Sequence, residues 1–210
     1  MKNCPNNVTP NVGQNVELGV GVHQIAFNGG TVIPFTVQSG TFAIIRSEIE
    51  GQMVDALKCV SVGTGYFNAN DLGQNSTEAR YNTIDVWLHK QATTFNRFVM
   101  TNDPTGALGD DGYLIQTDDT ERFVIFRITN GGIGSTRMRS AVDEVPVNTW
   151  FNVRVEATNA GVYTAWIDNV LADSSASGSN PTGADNTYTV APYIKFNMGT
   201  GDRVALFKKY

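Results

Sequence analysis

The stretch that decides the fold is Thr149–Leu171, which reads TWFNVRVEATNAGVYTAWIDNVL. Apolar and polar side chains alternate over Trp150–Ala157 and alternate again over Tyr163–Asp168. Period-2 alternation places the two sets on opposite faces of a strand. The polar segment Thr158–Gly161 between them is typical of a tight turn. The stretch therefore predicts two antiparallel strands, each with one face in a core.

The same signals recur along the rest of the chain. Short apolar or alternating runs are separated by Gly, Asn, Asp or Pro clusters, and no long window carries the 3.6-residue stripe of a helix. Thirteen strands are predicted: Gly21–Phe27, Thr31–Val37, Thr41–Glu50, Ala56–Val62, Asn82–Lys90, Asn96–Thr101, Tyr113–Thr117, Phe123–Thr129, Thr136–Ser140, Trp150–Ala157, Tyr163–Asn169, Tyr193–Met198 and Val204–Lys208. This pattern predicts an all-β, antiparallel two-sheet β-sandwich. Within it, Val153 and Val155 should lie in the core, and Trp150 should be largely buried.

Composition sets further bounds on the class of protein. A chain of 210 residues fits one large β domain, predicted over residues 16–210. The net charge of −5, from 15 basic and 20 acidic residues, argues against nucleic acid as a partner. The polar start Met1–Pro5 lacks the apolar segment of a signal peptide, and no run approaches the length of a membrane span. We therefore predict a protein made in the cytoplasm, with no membrane partner.

Two segments and two cysteines stand apart from this pattern. Residues Met1–Asn15 are rich in Asn and Pro and predict an irregular N-terminal arm. Ser174–Gly183 is of low complexity and predicts a mobile surface loop. Cys4 and Cys59 could form one disulfide, but two buried or idle thiols are the better interpretation without secretion.

The late hairpin resembles a known superfamily. Val145–Leu171 is similar to the corresponding hairpin of the concanavalin A-like lectin/glucanase superfamily, which includes laminin G-like domains. In that superfamily a Pro and a Trp-aromatic pair open one strand, and an Asp-Gly turn ends the next. Here Pro146, Trp150–Phe151 and Tyr163–Asp168 hold those places, and Asn169 replaces the Gly. Asn tolerates the positive φ that such a turn needs, so the departure is mild.

Two other segments extend the resemblance to roughly residues 30–210. Arg203–Tyr210 is similar to the closing strand of the same sandwich. Thr77–Lys90, TEARYNTIDVWLHK, is similar to a strand seen in phage-encoded versions. The resemblance implies a concanavalin A-like jelly roll, and it carries function only weakly because one fold hosts many functions.

The residues argue against an enzyme. The glucanase branch carries a Glu-x-Asp-x-Glu strand, and a retaining glycosidase needs two carboxyl groups about 5 Å apart. In the matching strand only Asp85 is acidic, with Thr83 and Trp87 in the places of the two Glu. Glu48 and Glu50 are better read as a solvated strand face. We therefore predict no catalytic residues.

A sugar-binding site is the next possibility. On the strand at 82–90, alternation places Asp85, Trp87 and His89 on the face opposite the apolar set, and Trp166 is similarly placed on its own strand. An indole among polar neighbours can stack on a sugar ring while the polar groups form hydrogen bonds. The alternative is that both indoles are covered by a loop or by another subunit. These four residues are the predicted ligand-binding set.

Calcium assists sugar binding in some branches of this superfamily and needs six to eight oxygen ligands. Two loops are rich in oxygen: Asn102–Asp103 with Asp110–Gly112, and Asp118–Asp119 with Glu121. Neither forms a complete motif, and both fit ordinary turn chemistry. We predict neither a metal nor a cofactor.

The leading hypothesis from sequence is a structural component of a bacteriophage-like virion. A sandwich with no catalytic set, a phage-like strand and an irregular arm (Met1–Asn15) together suggest a capsid decoration, auxiliary head, tail or fibre protein. It would be located in the virion, with other virion proteins or further copies of itself in a homo-oligomer as partners, and adhesion to host-surface glycan as an added role. The alternative is a free-standing, lectin-like carbohydrate-binding module.

Overall fold

The fold is that of a computed structural model, which describes residues 16–26, 32–72, 83–92, 94–101, 103, 105, 111–129, 132–158, 160–185, 187 and 192–205. Within these ranges the chain is almost entirely β-strand, with one turn of 3-10 helix at Ala69–Leu72. The strands, in chain order, are β1 Val16–Leu18, β2 Gly21–Ile25, β3 Ile33–Ile49, β4 Gln52–Asn68, β5 Thr83–His89, β6 Asn96–Thr101, β7 Gly112–Thr117, β8 Phe123–Thr129, β9 Gly132–Arg139, β10 Trp150–Ala157, β11 Tyr163–Ile167, β12 Val170–Leu171, β13 Ser177–Gly178, β14 Tyr193–Met198 and β15 Arg203–Ala205. The prediction of an all-β antiparallel sandwich is confirmed. The predicted arm at residues 1–15 lies outside the described residues.

One continuous antiparallel sheet supplies both layers of the sandwich. The long strand β4 pairs with β15 through Ala56–Lys58 and with β14 through Gly63–Asn68. We call the strands in the order β12-β11-β10-β5-β15-β4 the first half-sheet, and those in the order β4-β14-β6-β7-β8-β9-β13 the second half-sheet. β3 runs beside β4 along both halves, with β1 and β2 on its outer edge.

The β3–β4 hairpin bends where the two halves meet. Its register shifts three times between Val37 and Phe42, and Gly40 has a φ of +76°. A Cβ on Gly40 would lie 2.5 Å from the Cα of Gly63, so the two backbones cross too closely for a side chain. The sequence predicted two separate strands here. The structure contains one bulged strand, because bulges turn the chain without ending its pairing.

The core lies between the two half-sheets. Ring contacts join them directly: Tyr113 of β7 lies 5.0 Å from Tyr163 of β11 between centroids, and Phe42 of β3 meets Phe196 of β14 edge-on at 5.4 Å. Val153 and Val155 are each 1 % exposed, as predicted. Burial of these apolar faces on both layers is the main source of stability for such a fold.

The segment Ser174–Gly183 is tied to the sandwich rather than free of it. The amide of Asn180 accepts a hydrogen bond from the backbone N of Ala165 at 3.1 Å and donates to the carbonyls of Ala165 and Ala172 at 2.9 and 2.8 Å. Thr182 donates its backbone N–H to the carbonyl of Tyr163 at 2.8 Å. The segment lies at the surface, as predicted, but these contacts, which composition does not reveal, tie its second half to β11.

Candidate functional site

The four residues of the predicted ligand-binding set share one surface. Ile84, Val86 and Leu88 of β5 are buried in the core, so Asp85, Trp87 and His89 lie on the opposite side of the strand. Trp166 of β11 lies on that side too, since Tyr163, Ala165 and Ile167 point into the core. We call this side of the first half-sheet the outer face. The predicted sharing of a face along β5 therefore holds in the structure.

Arg154 connects two of these residues. It lies opposite Trp166 on β11 and opposite Asp85 on β5, so the three residues form a row across three strands. Its guanidinium carbon lies 4.4 Å from the centroid of the Trp166 indole, which is cation–π geometry. One face of that indole is thus occupied by Arg154, and Leu171 of β12 lies opposite Trp166 on the other side. Sequence reasoning missed this residue because it only placed Arg154 among the polar positions of β10.

Asp85 is held in place by a hydrogen bond across the strands. Its Oδ1 accepts from the side-chain Nδ2 of Asn152 at 2.7 Å, and both side chains are buried. The same amide lies 3.4 Å from the carbonyl of Val86. A buried carboxylate fixed in this way is a rigid hydrogen-bond acceptor. The neighbouring ion pair between Arg154 and Glu156, at 3.2 Å, is exposed to solvent and therefore adds little to the stability of the fold.

Trp87 and Trp150 cover a small apolar cluster on the outer face. Both indoles are partly buried and pack against this cluster, whose buried members are Ala43, Ile45, Ile49, Val54, Ala56 and Ala205. Most of the Trp150 side chain is buried, as predicted, with its ring packed against this cluster. It lies on the outer face rather than in the core between the layers, because Phe151 takes the inward position of β10. Aromatic rings on a packed apolar floor have few ways to reorient, which suits them to a fixed contact surface.

His89 lies between Trp150 and Arg203 on neighbouring strands. Its imidazole meets the Trp150 ring nearly edge-on, with centroids 5.5 Å apart, and its Nδ1 lies 3.4 Å from Nε2 of Gln91. Burial, followed by the positive charge of Arg203, lowers the pKa of His89 below its usual 6.5. The imidazole is therefore neutral at pH 7 and able to donate one hydrogen bond and accept another.

Asp202 holds together the loop that follows β5 and the loop that precedes β15, on either side of His89 and Arg203. Its Oδ1 accepts hydrogen bonds from the backbone N of Gln91 and the hydroxyl of Thr94, both at 2.7 Å, and its Oδ2 accepts from the backbone N of Gly199 at 3.2 Å. Burial raises the pKa of Asp202 above its usual range, and these hydrogen bonds and the charge of Lys90 oppose that rise. The carboxylate thereby holds the segment after β5 against the start of β15, where Arg203 stands.

Lys90 brings a basic side chain to the acidic loop at 118–121. This lysine is fully buried, and Asp202, Glu121, Asp118 and Asp119 all act on it electrostatically. Burial lowers the pKa of Lys90, while those four carboxylates raise it. Asp118 itself caps a turn, accepting from the backbone N and hydroxyl of Thr120 at 3.0 and 2.8 Å. A lysine ammonium thus already supplies positive charge beside the loop.

The remaining metal and enzyme candidates bring no further site together. Of the other oxygen-rich loop, Asn102 and Asp110 lie outside the described residues. In the part of the chain that the structure describes, no three His, Cys, Asp or Glu side chains are grouped to hold a metal ion. Glu48 and Glu50 are both exposed, as predicted, and Glu50 is in the turn of the β3–β4 hairpin with a φ of 49°.

Cys59 is buried within the core. Its thiol donates to the carbonyls of Ser61 and Met198 at 3.1 and 3.2 Å. Burial, with the nearby charge of Asp202, raises the pKa of this thiol from 9.0 to about 12. That fits the expected idle thiol at this position, because the thiolate is the reactive form. Cys4 lies outside the described residues.

A pocket of about 240 Å³ opens on the outer side of the second half-sheet. Tyr66 and Tyr193 form one wall, with ring centroids 5.4 Å apart and nearly perpendicular planes. The lining residues are uncharged: Val22, Pro34, Phe35, Thr36, Tyr66, Asn68 and Tyr193. Sequence patterns did not indicate this pocket, because it forms only where Tyr193 of β14 pairs beside the consecutive strands β2, β3 and β4.

Comparisons with known proteins support the fold. No protein-family model matches the chain, and no curated protein matches it. Among solved structures, the chain is similar to the carbohydrate-binding module CBM66 from Bacillus subtilis, with a TM-score of 0.50 and 15 % sequence identity over 81 % of this chain and 90 % of that one. At this identity the likeness shows the fold alone, which is an antiparallel β-sandwich. Within the described residues, no helix is long and apolar enough to cross a membrane.

Proposed function

We propose that this chain is a lectin-like carbohydrate-binding module, and that sugar binds on the outer face of the first half-sheet. The observation that carries the proposal is the placement of two partly exposed indoles, Trp87 and Trp166, beside fixed polar groups on adjacent strands. Sugar rings stack their apolar C–H faces on aromatic rings while their hydroxyls need donors and acceptors nearby. Likeness in fold to the carbohydrate-binding module CBM66 supports the proposal.

The polar groups around the indoles are suited to hydroxyl recognition. Arg154 supplies guanidinium donors, and neutral His89 supplies one donor and one acceptor. Both lie on strands rather than loops, so their positions are set by the sheet ladder, and the buried carboxylate of Asp85 lies beside Arg154, fixed by Asn152. A rigid set of this kind loses little conformational entropy when a ligand binds.

The test is binding of the purified protein to a glycan array and to whole bacterial cells, with Trp87→Ala and Trp166→Ala alongside. We expect each substitution to weaken binding about tenfold or more, because truncating an aromatic anchor in an interface costs roughly 2 kcal/mol or more. Both indoles lie outside the main core, so near-UV circular dichroism should show that the variants stay folded.

Tyr66→Ala is the matched control, since it removes a partly buried aromatic ring from the pocket of the second half-sheet. It should leave binding unchanged. If Tyr66→Ala abolishes binding while both Trp variants bind normally, the sugar occupies the pocket and the outer face is the wrong site. If neither the array nor the cells bind the wild-type protein, the proposed function itself is wrong.

The hypothesis of a virion component, with a homo-oligomer and virion partners, stays a prediction. The comparisons offer nothing in its favour, and the arm at residues 1–15 on which it drew lies outside the described residues. It predicts an oligomer in solution and loss of particle attachment when Met1–Asn15 is deleted. A monomer whose attachment survives that deletion would end it. The prediction that the chain is not an enzyme accompanies both proposals.

A further inference from the structure

A row of basic side chains crosses the outer face on three adjacent strands. Arg203 of β15 lies directly opposite Lys58 of β4 on one side and His89 of β5 on the other. All three lie on the outer face, since their chain neighbours Leu57, Val204 and Leu88 are core residues. Directly opposite residues in an antiparallel pair have Cβ atoms about 4.5–5.5 Å apart, so the three side chains start as near neighbours.

No carboxylate neutralises this row in the described part of the chain. The ion pairs found there are Arg46–Asp55, Arg127–Asp185, Arg137–Asp185 and Arg154–Glu156. None of them includes Lys58 or Arg203, and the Nε of Arg203 is buried with no hydrogen-bond acceptor.

The acidic residues nearest to the row are engaged or distant. Asp202 precedes Arg203 but is turned towards backbone N–H groups, and Asp85 is bound by Asn152. Glu17 lies opposite Ala43, which separates it by a strand from Lys58, and its side chain is exposed. Lys58 and Arg203 therefore carry uncompensated positive charge, and neutral His89 beside them adds a hydrogen-bond donor and an acceptor.

This arrangement is costly for the protein by itself. Like charges directly opposite each other destabilise a sheet, and Lys58 and Arg203 are directly opposite each other. The chain as a whole has a net charge of −5, so positive charge gathered on one face is not a consequence of composition. Bound anionic ligand would remove the repulsion, and the forked guanidinium of Arg203 matches the planar geometry of a carboxylate.

We propose that the Lys58–Arg203–His89 row binds the carboxylate or sulfate group of an acidic sugar, so that the ligand of the outer face is an acidic glycan. This inference rests on the proposed sugar-binding function and specifies its ligand class. Trp150 and Trp87 flank the row, on β10 and β5, and supply aromatic rings for the sugar ring that bears the acidic group.

The experiment measures binding of the full chain to three polysaccharides: polygalacturonate, which carries carboxylates, heparin, which also carries sulfates, and neutral dextran. The variants are Lys58→Gln and Arg203→Gln. Arg139→Gln is the matched control, because it removes one positive charge from the second half-sheet, where Arg139 lies over the Phe126 ring. Circular dichroism and denaturation midpoints confirm that each variant is folded.

We expect one of the acidic polysaccharides to bind and dextran not to bind. Lys58→Gln and Arg203→Gln should each weaken binding roughly tenfold or more, the usual effect of losing a hydrogen bond to a charged group. Arg139→Gln should have no such effect. The polysaccharide that binds decides between a carboxylate and a sulfate as the recognised group.

Three outcomes would overturn the inference, and they differ in what they mean for the proposed function. If a neutral glycan on the array binds in a manner that depends on Trp87, and Lys58→Gln and Arg203→Gln bind it normally, the ligand is not acidic but sugar binding holds. If Arg139→Gln weakens binding to heparin as much as Arg203→Gln does, the attraction is general charge rather than this row. Failure to bind any glycan at all would reject both proposals.

Discussion

Gly65 lies near the C-terminal end of β4, and adding a single methyl group there should lower the stability of the fold by a measurable amount. It pairs with Val37 on one side and with Phe196 on the other. A Cβ added there would overlap the Cζ of Phe196 and the carbonyl oxygen of Thr36, and would lie 2.9 Å from the Cε2 of Phe196. We therefore predict that Gly65→Ala destabilises the protein, although alanine is normally the better residue in regular structure.

The size of the effect follows from what surrounds the site. The Phe196 ring is fully buried and held by Phe42 and Phe67, each with a ring centroid 5.4 Å away, so it has no free direction in which to move. The Thr36 oxygen belongs to the backbone and is equally fixed. Overpacking of this kind costs about 1–3 kcal/mol, and the reduced entropy of the unfolded chain returns about 0.4–1 kcal/mol. The net expected loss is about 1–2 kcal/mol.

The assay is urea denaturation followed by far-UV circular dichroism, with the thermal midpoint as a second measure. For a chain of this length, the midpoint should fall by about 2–4 °C for each kcal/mol lost. Gly19→Ala is the matched control, since a Cβ at Gly19 meets no atom within 4 Å. If Gly65→Ala is as stable as the Gly19→Ala control, the close packing of β4 against Phe196 described above is incorrect.

Four further predictions concern the core, a loop, a thiol and the basic row. Val153→Ala should lower the free energy of unfolding by roughly 1–3 kcal/mol, the cost of lost methyl burial plus a cavity, and an unchanged urea midpoint would contradict its place in the core. Asn180→Ala should lower the free energy of unfolding by about 1–3 kcal/mol, because three backbone groups lose their hydrogen-bond partner. The segment Ser174–Gly183 should then be cleaved faster by a protease. A variant as protease-resistant as the wild type would show that other contacts hold this segment. Cys59 keeps its proton to a pH of about 12 in the folded state but ionises near 9 when unfolded, so its stabilising contribution is complete below pH 9 and is lost between 9 and 12. Denaturation at increasing pH should therefore show a steeper loss for the wild type than for Cys59→Ala, and parallel slopes would contradict the raised pKa. Arg203→Gln should raise the pKa of His89, as followed by an NMR titration, and an unmoved titration would mean that the two side chains do not interact.

Much of the strand pattern was predictable, since alternation is a local property. The bounds of β6, β8, β10 and β14 agree with the sequence prediction to the residue. The turn after β11 also follows the prediction, because Asp168 and Asn169 both have positive φ values of 48° and 65°. The very short strands β1, β12 and β13 were not predicted, since two or three residues carry no readable period.

Long-range geometry accounts for what the sequence left undecided. The length of β3 and β4 depends on bulges that keep the pairing intact across Gly40 and Gly63, and a list of residues shows only a break between two runs. The surroundings of Trp150 depend on long-range geometry in the same way. Its place in β10 follows from the sequence, but the apolar cluster that covers its ring comes from strands elsewhere in the chain. In both cases the sequence does not show which distant segment packs beside the strand in question.

By itself, the sequence determined the all-β class, most strand positions and the fact that Asp85, Trp87 and His89 share one side of a strand. These features depend on the pleat of a single strand, which repeats every two residues. Only the tertiary structure decided that Arg154 lies between Asp85 and Trp166, that Tyr66 and Tyr193 form a pocket, and that Lys58, Arg203 and His89 form one row. Cross-strand neighbours of this kind are fixed by the order and register of strands far apart in the chain, which the burial of the whole core selects and no local pattern encodes.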